Sequence, residues 1–174
     1  MGTWIIDNNA GTDQEADPDG TADAHAHAVT DAANAWVTAR ALIPAADEWV
    51  GVKVRQSADS MGGANYWYCE ITNTALLDEQ IVECRDGVHT VRASANIGLA
   101  AAARYYIQVR CRDNDIRMWA DGANELGYAT AGWNNDATWH GLYNDDSTDA
   151  RFDQFRVTKI NTLGEYDGTL DNIS

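Results

Sequence analysis

The sequence predicts an all-β protein, an antiparallel β-sandwich, on three observations. Apolar and polar residues alternate with a period of two between Arg104 and Ile160, which is typical of half-buried strands. Turn-forming Asp, Asn and Gly residues separate short apolar segments. Seven Trp and seven Tyr against two Phe suit a sandwich whose aromatic rings line its faces. At 174 residues, the chain is long enough for one domain with a substantial core.

Residues 1–30 are predicted to form an acidic arm or loop, packed on the sandwich or on a neighbouring subunit. After Trp4-Ile5-Ile6, a possible edge strand, this segment is polar and rich in turn formers. The tail, 161–174, also lacks a core pattern. The sandwich itself is therefore predicted to occupy residues 31–160.

Carboxylates in the arm alternate before a glycine, as at the start of a calcium loop. They are Glu15, Asp17, Asp19 and Asp23. A helix-flanked calcium loop has a bidentate Glu at its twelfth position, which here is Ala26. A solvated acidic turn accounts for the same residues. Calcium binding and a simple turn both stay open, and no other cofactor is predicted.

The middle of the chain predicts five strands. The first is apolar on both sides and ends before Pro44, and the second alternates valines with Gly51, Lys53 and Arg55. The last two flank Asp86-Gly87, the strongest hairpin signal in the chain. A loop is predicted over 95–104, despite its helix propensity. The five strands cover 35–43, 50–55, 66–72, 81–85 and 88–94.

A hairpin and two closing strands complete the predicted sandwich. The hairpin is the segment RYYIQVRCRDNDIRMWADG, which turns at Asp113-Asn114-Asp115 and again at Asp121-Gly122. The closing strands surround the acidic loop in GLYNDDSTDARFDQFRVTKI. One face of the first hairpin strand holds Tyr105, Ile107, Val109 and Cys111, and the other holds Tyr106, Gln108, Arg110 and Arg112.

The order YYIQVRCRDNDIRMWADG, followed by WHGLYNDDSTDARFDQFRV, resembles the C-terminal half of laminin G-like, concanavalin A-like jelly-roll domains. In that superfamily, an alternating strand is followed by one ending in Asp-Gly, and then by two closing strands. The resemblance extends back to about Ala35 and implies a jelly-roll β-sandwich over about residues 35–160. It specifies fold better than function, because the superfamily includes lectins, glycan-binding modules, glycosidases, adhesion domains and virion proteins.

The segment GWNNDATWHGLYNDDSTD combines aromatic rings with amides and carboxylates, the groups that sugar recognition requires. An alternative is that its tryptophans pack in the core and its Asn-Asp run only turns the chain. The candidate glycan-binding residues are Trp133, Asn134, Asn135, Asn144, Asp145 and Asp146.

No enzyme is predicted. Glycosidases of the resembled fold carry strand carboxylates at Glu-x-Asp-x-x-Glu spacing, and this sequence has no such motif. Cys84 and His89 could form a thiol–imidazole pair, but no third, orienting group is evident in the sequence. With Cys69 and Cys111, Cys84 is expected to be a buried thiol rather than part of a disulfide framework.

A formal net charge of −15 argues against nucleic acid and anionic membranes as partners. The start of the chain lacks the basic and apolar regions of a secretory signal. The main prediction is a non-catalytic bacteriophage virion surface protein, a capsid decoration or fibre module, whose arm and tail contact neighbouring subunits or further copies of the chain. The alternative is a carbohydrate-binding module or lectin. The corresponding locations are the virion and the extracellular space.

Overall fold

The computed structural model describes residues 25–45, 47–57, 65–74, 76–145 and 150–160. These residues form two β-sheets, and they include no helix able to cross a membrane. In chain order the strands are β1 (His25–Val29), β2 (Ala35–Ile43), β3 (Trp49–Gln56), β4 (Tyr66–Ile71), β5 (Glu79–Arg85), β6 (Val88–Ala95), β7 (Ala103–Arg112), β8 (Asp115–Ala120), β9 (Ala123–Ala129), β10 (Trp139–Asp145) and β11 (Arg151–Lys159).

Every pair of neighbouring strands is antiparallel. One sheet has six strands in the order β1-β10-β3-β4-β5-β6, and the other has five in the order β11-β2-β7-β8-β9. The predicted all-β antiparallel sandwich is confirmed. Late strands complete both sheets, because β10 inserts between β1 and β3 while β11 pairs with β2.

The core lies between the two sheets and is built by alternation along each strand. In β2 the inward residues Ala35, Val37, Ala39, Ala41 and Ile43 are fully buried. Trp67 on β4 is the largest of the fully buried side chains. Complete burial of an Ile or Val side chain contributes about 1.5–3 kcal/mol, so this alternation supplies most of what holds the sheets together.

The hairpin of β7 and β8 has the predicted faces, although its turn is Asp113-Asn114 and Asp115 already begins β8. Ile107, Val109 and Cys111 are fully buried, and Tyr105 packs against the same core. The turn residues Asp113 and Asp121 have φ angles of 49° and 50°. Left-handed backbone of this kind is tolerated by Asp, which is why these residues predict turns.

Three segments differ from their predictions. Residues 25–29 of the predicted arm form β1, which pairs with β10. The outward positions of β2 are only half-buried, so this strand is not apolar on both sides. After Asp121-Gly122, the chain forms the separate edge strand β9, which was not predicted because its sequence, ANELGYA, lacks a clear apolar alternation. Residues 1–24 and the tail 161–174 lie outside the described residues.

All three cysteines are buried free thiols, as predicted. Burial raises the pKa of the Cys111 thiol to about 12 and that of Cys69 well above its ordinary value. Both therefore behave as small apolar side chains at neutral pH.

Candidate ligand-binding groove

A groove of about 400 Å³ lies on the outer face of the five-stranded sheet. Strand pairing brings its residues together, because Thr38 on β2 lies opposite Gln108 on β7 and opposite Arg156 on β11. Three strands that are distant in sequence thus contribute to one surface. The lining residues are Trp36, Thr38, Tyr106, Gln108, Gln154, Arg156 and Thr158.

An irregularity in β11 shapes one side of the groove. The register between β11 and β2 shifts between Asp153 and Arg156, and Gln154 within the shift has a φ of 53°. Such a bulge changes the direction of a side chain relative to the regular strand. Here Gln154 lines the groove, and its side-chain oxygen accepts a hydrogen bond from the Tyr106 hydroxyl.

Aromatic rings form the apolar part of this surface. The centres of the Trp36 and Trp119 rings lie 5.4 Å apart with a tilt of 33° between the ring planes, so the two indoles are in contact on this face. The guanidinium of Arg40 lies 5.9 Å from the centre of the Tyr106 ring, and Tyr106 is 42% exposed. The groove therefore offers flat apolar surface beside amide, hydroxyl and guanidinium groups, which suits a ligand with both apolar and hydroxyl surface.

The same face concentrates positive charge in an otherwise acidic protein. Its strand positions carry seven of the chain's ten arginines, which we call the arginine face. Four carboxylates among the described residues form ion pairs with arginines of this face: Asp113, Asp115, Glu125 and Asp153. The arginines are Arg40, Arg104, Arg110, Arg112, Arg117, Arg151 and Arg156.

Two carboxylates on this face each form ion pairs with two arginines. Asp153 lies 3.7 Å from Arg40 and 3.5 Å from Arg104. Asp115 lies 3.1 Å from Arg110 and 2.8 Å from Arg117. Sharing of this kind leaves the face with more positive than negative charge in the part of the chain that the structure describes.

The predicted glycan residue Trp133 packs on the core side of the sandwich. Its ring meets Trp67 edge-on at 5.3 Å, and the guanidinium of Arg85 lies 4.5 Å from its centre. Its backbone carbonyl accepts a hydrogen bond from the Trp67 indole at 3.4 Å. The ring therefore contacts both Trp67 and Arg85, and the side chain is half-buried.

Asn134 and Asn135 fasten their own loop. Asn134 donates to the carbonyl of Asn65 at 2.8 Å and to that of Arg55. Asn135 accepts from the Arg55 guanidinium at 2.7 Å and from the Thr130 hydroxyl at 2.9 Å. Through these bonds, both amide groups hold the loop to the buried Arg55.

The predicted glycan residue Asn144 does not lie beside this loop. Asn144 is 1% exposed and pairs with Val50, at the far end of β10 from Trp139. Five extended residues separate those ends by about 17 Å. Asp145 ends the strand, and Asp146 lies outside the described residues. Asn144 therefore forms no single patch with Trp133, Asn134 and Asn135, because the strand between them is extended rather than looped.

The outer face of the six-stranded sheet holds a second polar and aromatic cluster. Tyr66, Tyr68 and Tyr143 are each 4% exposed, and the ammonium of Lys53 lies 4.2 Å from the Tyr66 ring. Burial lowers the pKa of Lys53 to about 8. Because these side chains are almost inaccessible, this cluster is a weaker candidate for ligand binding than the groove.

The same cluster corrects one expectation about Cys84 and His89. The Cys84 sulfur lies 3.6 Å from His89 Nε2, and the Tyr68 hydroxyl lies 2.8 Å from His89 Nδ1. Tyr68 is thus the orienting third group that the sequence did not reveal, since it lies on a different strand. Cys84 is 1% exposed, so the thiol lacks the access that a reacting nucleophile needs.

The predicted calcium ligands Glu15, Asp17, Asp19 and Asp23 lie outside the described residues, and calcium binding there stays a prediction. Among the residues that are described, no three His, Cys, Asp or Glu side chains are placed to hold a metal ion together.

No protein-family model matches the sequence, and no curated protein matches it. Solved structures with a similar fold do match the chain. The carbohydrate-binding module CBM66 from Bacillus subtilis has a TM-score of 0.62 at 14% identity, over 90% of this chain and 91% of that one. Sheep galectin-11, in complex with glycerol, has a TM-score of 0.57 at 6% identity, over 79% of this chain and 98% of that one.

A third similarity is partial. The GH43 protein BlXynB from Bacillus licheniformis has a TM-score of 0.52 at 16% identity, over 71% of this chain but 27% of that one. At these identities the likenesses establish the fold alone. The chain is a concanavalin A-like jelly-roll sandwich, of the kind found in a carbohydrate-binding module and in galectins, and the predicted fold-level resemblance is confirmed.

Proposed function

We propose that this protein binds carbohydrate, without catalysis, through the groove on the five-stranded sheet. The observation that carries the proposal is the lining of that groove, which combines aromatic rings with amide, hydroxyl and guanidinium groups. Aromatic faces cover the apolar C–H surface of a sugar ring, while amides and hydroxyls bond to its hydroxyl groups. A volume of about 400 Å³ is within the usual range for small-ligand sites.

The fold supports the same class of function. A carbohydrate-binding module and a galectin are among the solved structures similar to this chain. Hydrolysis of a glycosidic bond would require two carboxyl groups flanking the substrate, and the seven residues lining the groove include none. The partial likeness to a GH43 protein therefore gives no support for catalysis in this groove.

The prediction of a bacteriophage virion surface protein gains no support from these comparisons. It stays a prediction, together with the virion location and the capsid partners of the arm and tail. Carbohydrate binding through the groove is compatible with a virion or an extracellular location, so the two ideas are tested separately.

Replacing Trp36 with alanine tests the groove directly. An oligosaccharide identified on a glycan array should bind the variant at least about tenfold more weakly, because the ligand loses an aromatic platform, a cost of about 1.4 kcal/mol. Titration calorimetry on the full chain gives the affinity, and a Gln108→Ala variant should also weaken binding by removing a hydrogen-bonding amide.

Trp133→Phe is the matched control, because it changes the other candidate loop while keeping an aromatic ring against Trp67. It should bind as the unmodified protein does. If Trp133→Phe weakens binding and Trp36→Ala does not, the binding site lies in the loop around Trp133 instead of in the groove. An array on which no glycan binds would contradict the proposed function itself.

A further inference from the structure

We infer that the ligand of the groove is an anionic saccharide, whose carboxylate or sulfate groups bind the arginine face. This inference rests on the proposed function and specifies its ligand class. Seven of ten arginines share one face of a chain whose formal net charge is −15. A neutral sugar would not require that distribution, because hydroxyl groups can be bonded by amides as well as by guanidinium groups.

The register places arginines directly beside the groove. On β2, Trp36 is paired with Arg110 of β7, and Thr38 with Arg156 of β11. Arg156 also lines the groove itself. A ligand lying on Trp36 would therefore have guanidinium groups on both sides of β2.

A second pair of arginines lies beyond Tyr106. Arg40 is paired with Tyr106, and both Arg40 and Arg104 approach Asp153. Aromatic and cationic side chains thus alternate across the surface rather than forming separate patches. A ligand that presents apolar ring faces and oxyanions at regular intervals matches this pattern, and acidic saccharides have that chemistry.

Arginine suits this task better than lysine does. Its planar guanidinium donates two parallel hydrogen bonds to a carboxylate or sulfate, which fixes the orientation of the ligand as well as its charge. The acidic remainder of the protein repels anions, so attraction confined to one face would select the direction from which such a ligand approaches.

The test compares neutral, uronate-containing and sulfated oligosaccharides of equal length by titration calorimetry on the full chain. Carboxylated or sulfated ligands should bind at least about tenfold more tightly than neutral ones. Raising the salt from about 50 mM to about 500 mM should reduce that preference. Comparing the affinities of the carboxylated and the sulfated oligosaccharides shows which oxyanion the arginine face prefers.

Arg156→Gln should remove most of the preference, and the readout is the ratio of the anionic to the neutral affinity, because Arg156 lines the groove that both kinds of ligand occupy. Arg92→Gln on β6 is the matched control, because it removes the same charge from the other sheet, where Arg92 pairs with Glu83. Unlike Arg156→Gln, it should leave the preference intact.

Three outcomes would overturn the inference. Equal binding of neutral and anionic saccharides, unaffected by Arg156→Gln, would show that the ligand is a neutral glycan and would leave the proposed function standing. Equally tight binding of a single-stranded oligonucleotide of matched charge would show a general polyanion surface instead. Failure of every saccharide to bind would contradict the proposed function as well.

Discussion

Replacing Gly51 with alanine is expected to lower the free energy of unfolding by about 3 kcal/mol. Gly51 lies on β3 in the middle of the six-stranded sheet, opposite Glu70 on β4. An added methyl group would clash with the carbonyl oxygen of Cys69 and would lie 2.7 Å from the Cα of Glu70. Because both atoms belong to the backbone, the clash can be relieved only by separating two central strands. Urea denaturation measures the loss.

Gly127→Ala is the matched control for that experiment. The nearest group to a methyl group there would be the side chain of Arg117, at 2.8 Å from its Cδ. Gly127 lies on β9, at the edge of its sheet, where the Arg117 side chain and its partner Asp115 can shift more readily than the backbone of a central strand can. A loss of at most about 1 kcal/mol is expected. Equal losses in the two variants would show that strand β4 yields as readily as a side chain, contrary to the expectation.

Acid should destabilise the fold through His140, which is fully buried on β10. Its Nε2 lies 2.7 Å from the carbonyl of Ala32, and its Nδ1 accepts the backbone N–H of Arg55 at 3.4 Å. These contacts suit a neutral ring. Burial, with a smaller contribution from the charge of Arg55, lowers the pKa of His140 from 6.5 to about 4.

The direction of the effect follows from proton uptake. Between pH 6.5 and pH 4, the unfolded chain binds a proton at His140 that the folded protein does not bind. The free energy of unfolding therefore falls as the pH falls, by about 3 kcal/mol across this window. Above pH 6.5 the contribution is fully present, and below pH 4 it is lost. Urea denaturation at a series of pH values measures it.

The pH dependence of the unmodified protein must be compared with that of variants, because Glu79 changes the free energy of unfolding with pH in the direction opposite to His140. Burial, and then the charge of Asp78, raises the pKa of Glu79 from 4.5 to about 7. Stability from this group therefore decreases as the pH rises through that window. His140→Gln should remove only the acid-dependent loss, whereas the same change at the exposed His89 should leave it in place. Persistence of the full acid loss in His140→Gln would assign it to other groups.

Strand periodicity predicted the parts of the fold where one face is buried and the other is polar. β7 meets that condition, so Ile107 and Val109 were correctly placed on one face, which is the buried one. β9 does not meet it, because Gly127 and its alanines carry no apolar pattern, and that strand depends on pairing with β8. β1 was missed for a related reason, since its alternating alanines and histidines resemble a polar loop.

The groove could not be predicted from the sequence, because its lining residues come from three strands that are distant in the chain. A search for aromatic rings beside amides within one stretch of sequence led to the loop around Trp133, whose groups instead bind the protein itself. The outward residues of β7, including Tyr106 and Gln108, were identified correctly as one face. Their partners on β2 and β11 are known only once the strand register is known.

The late insertion of β10 and β11 also determines when the molecule can fold. β1 has β10 as its pairing partner in the sheet, and Val29 lies opposite Trp139, 110 residues further along the chain. Until residues 139–159 have been synthesised, β1 lacks its partner, and one side of β2 and of β3 is open. Such long-range pairing slows folding, because distant segments must meet before their contacts stabilise either one. A growing chain therefore exposes unpaired strand edges until its last strands leave the ribosome.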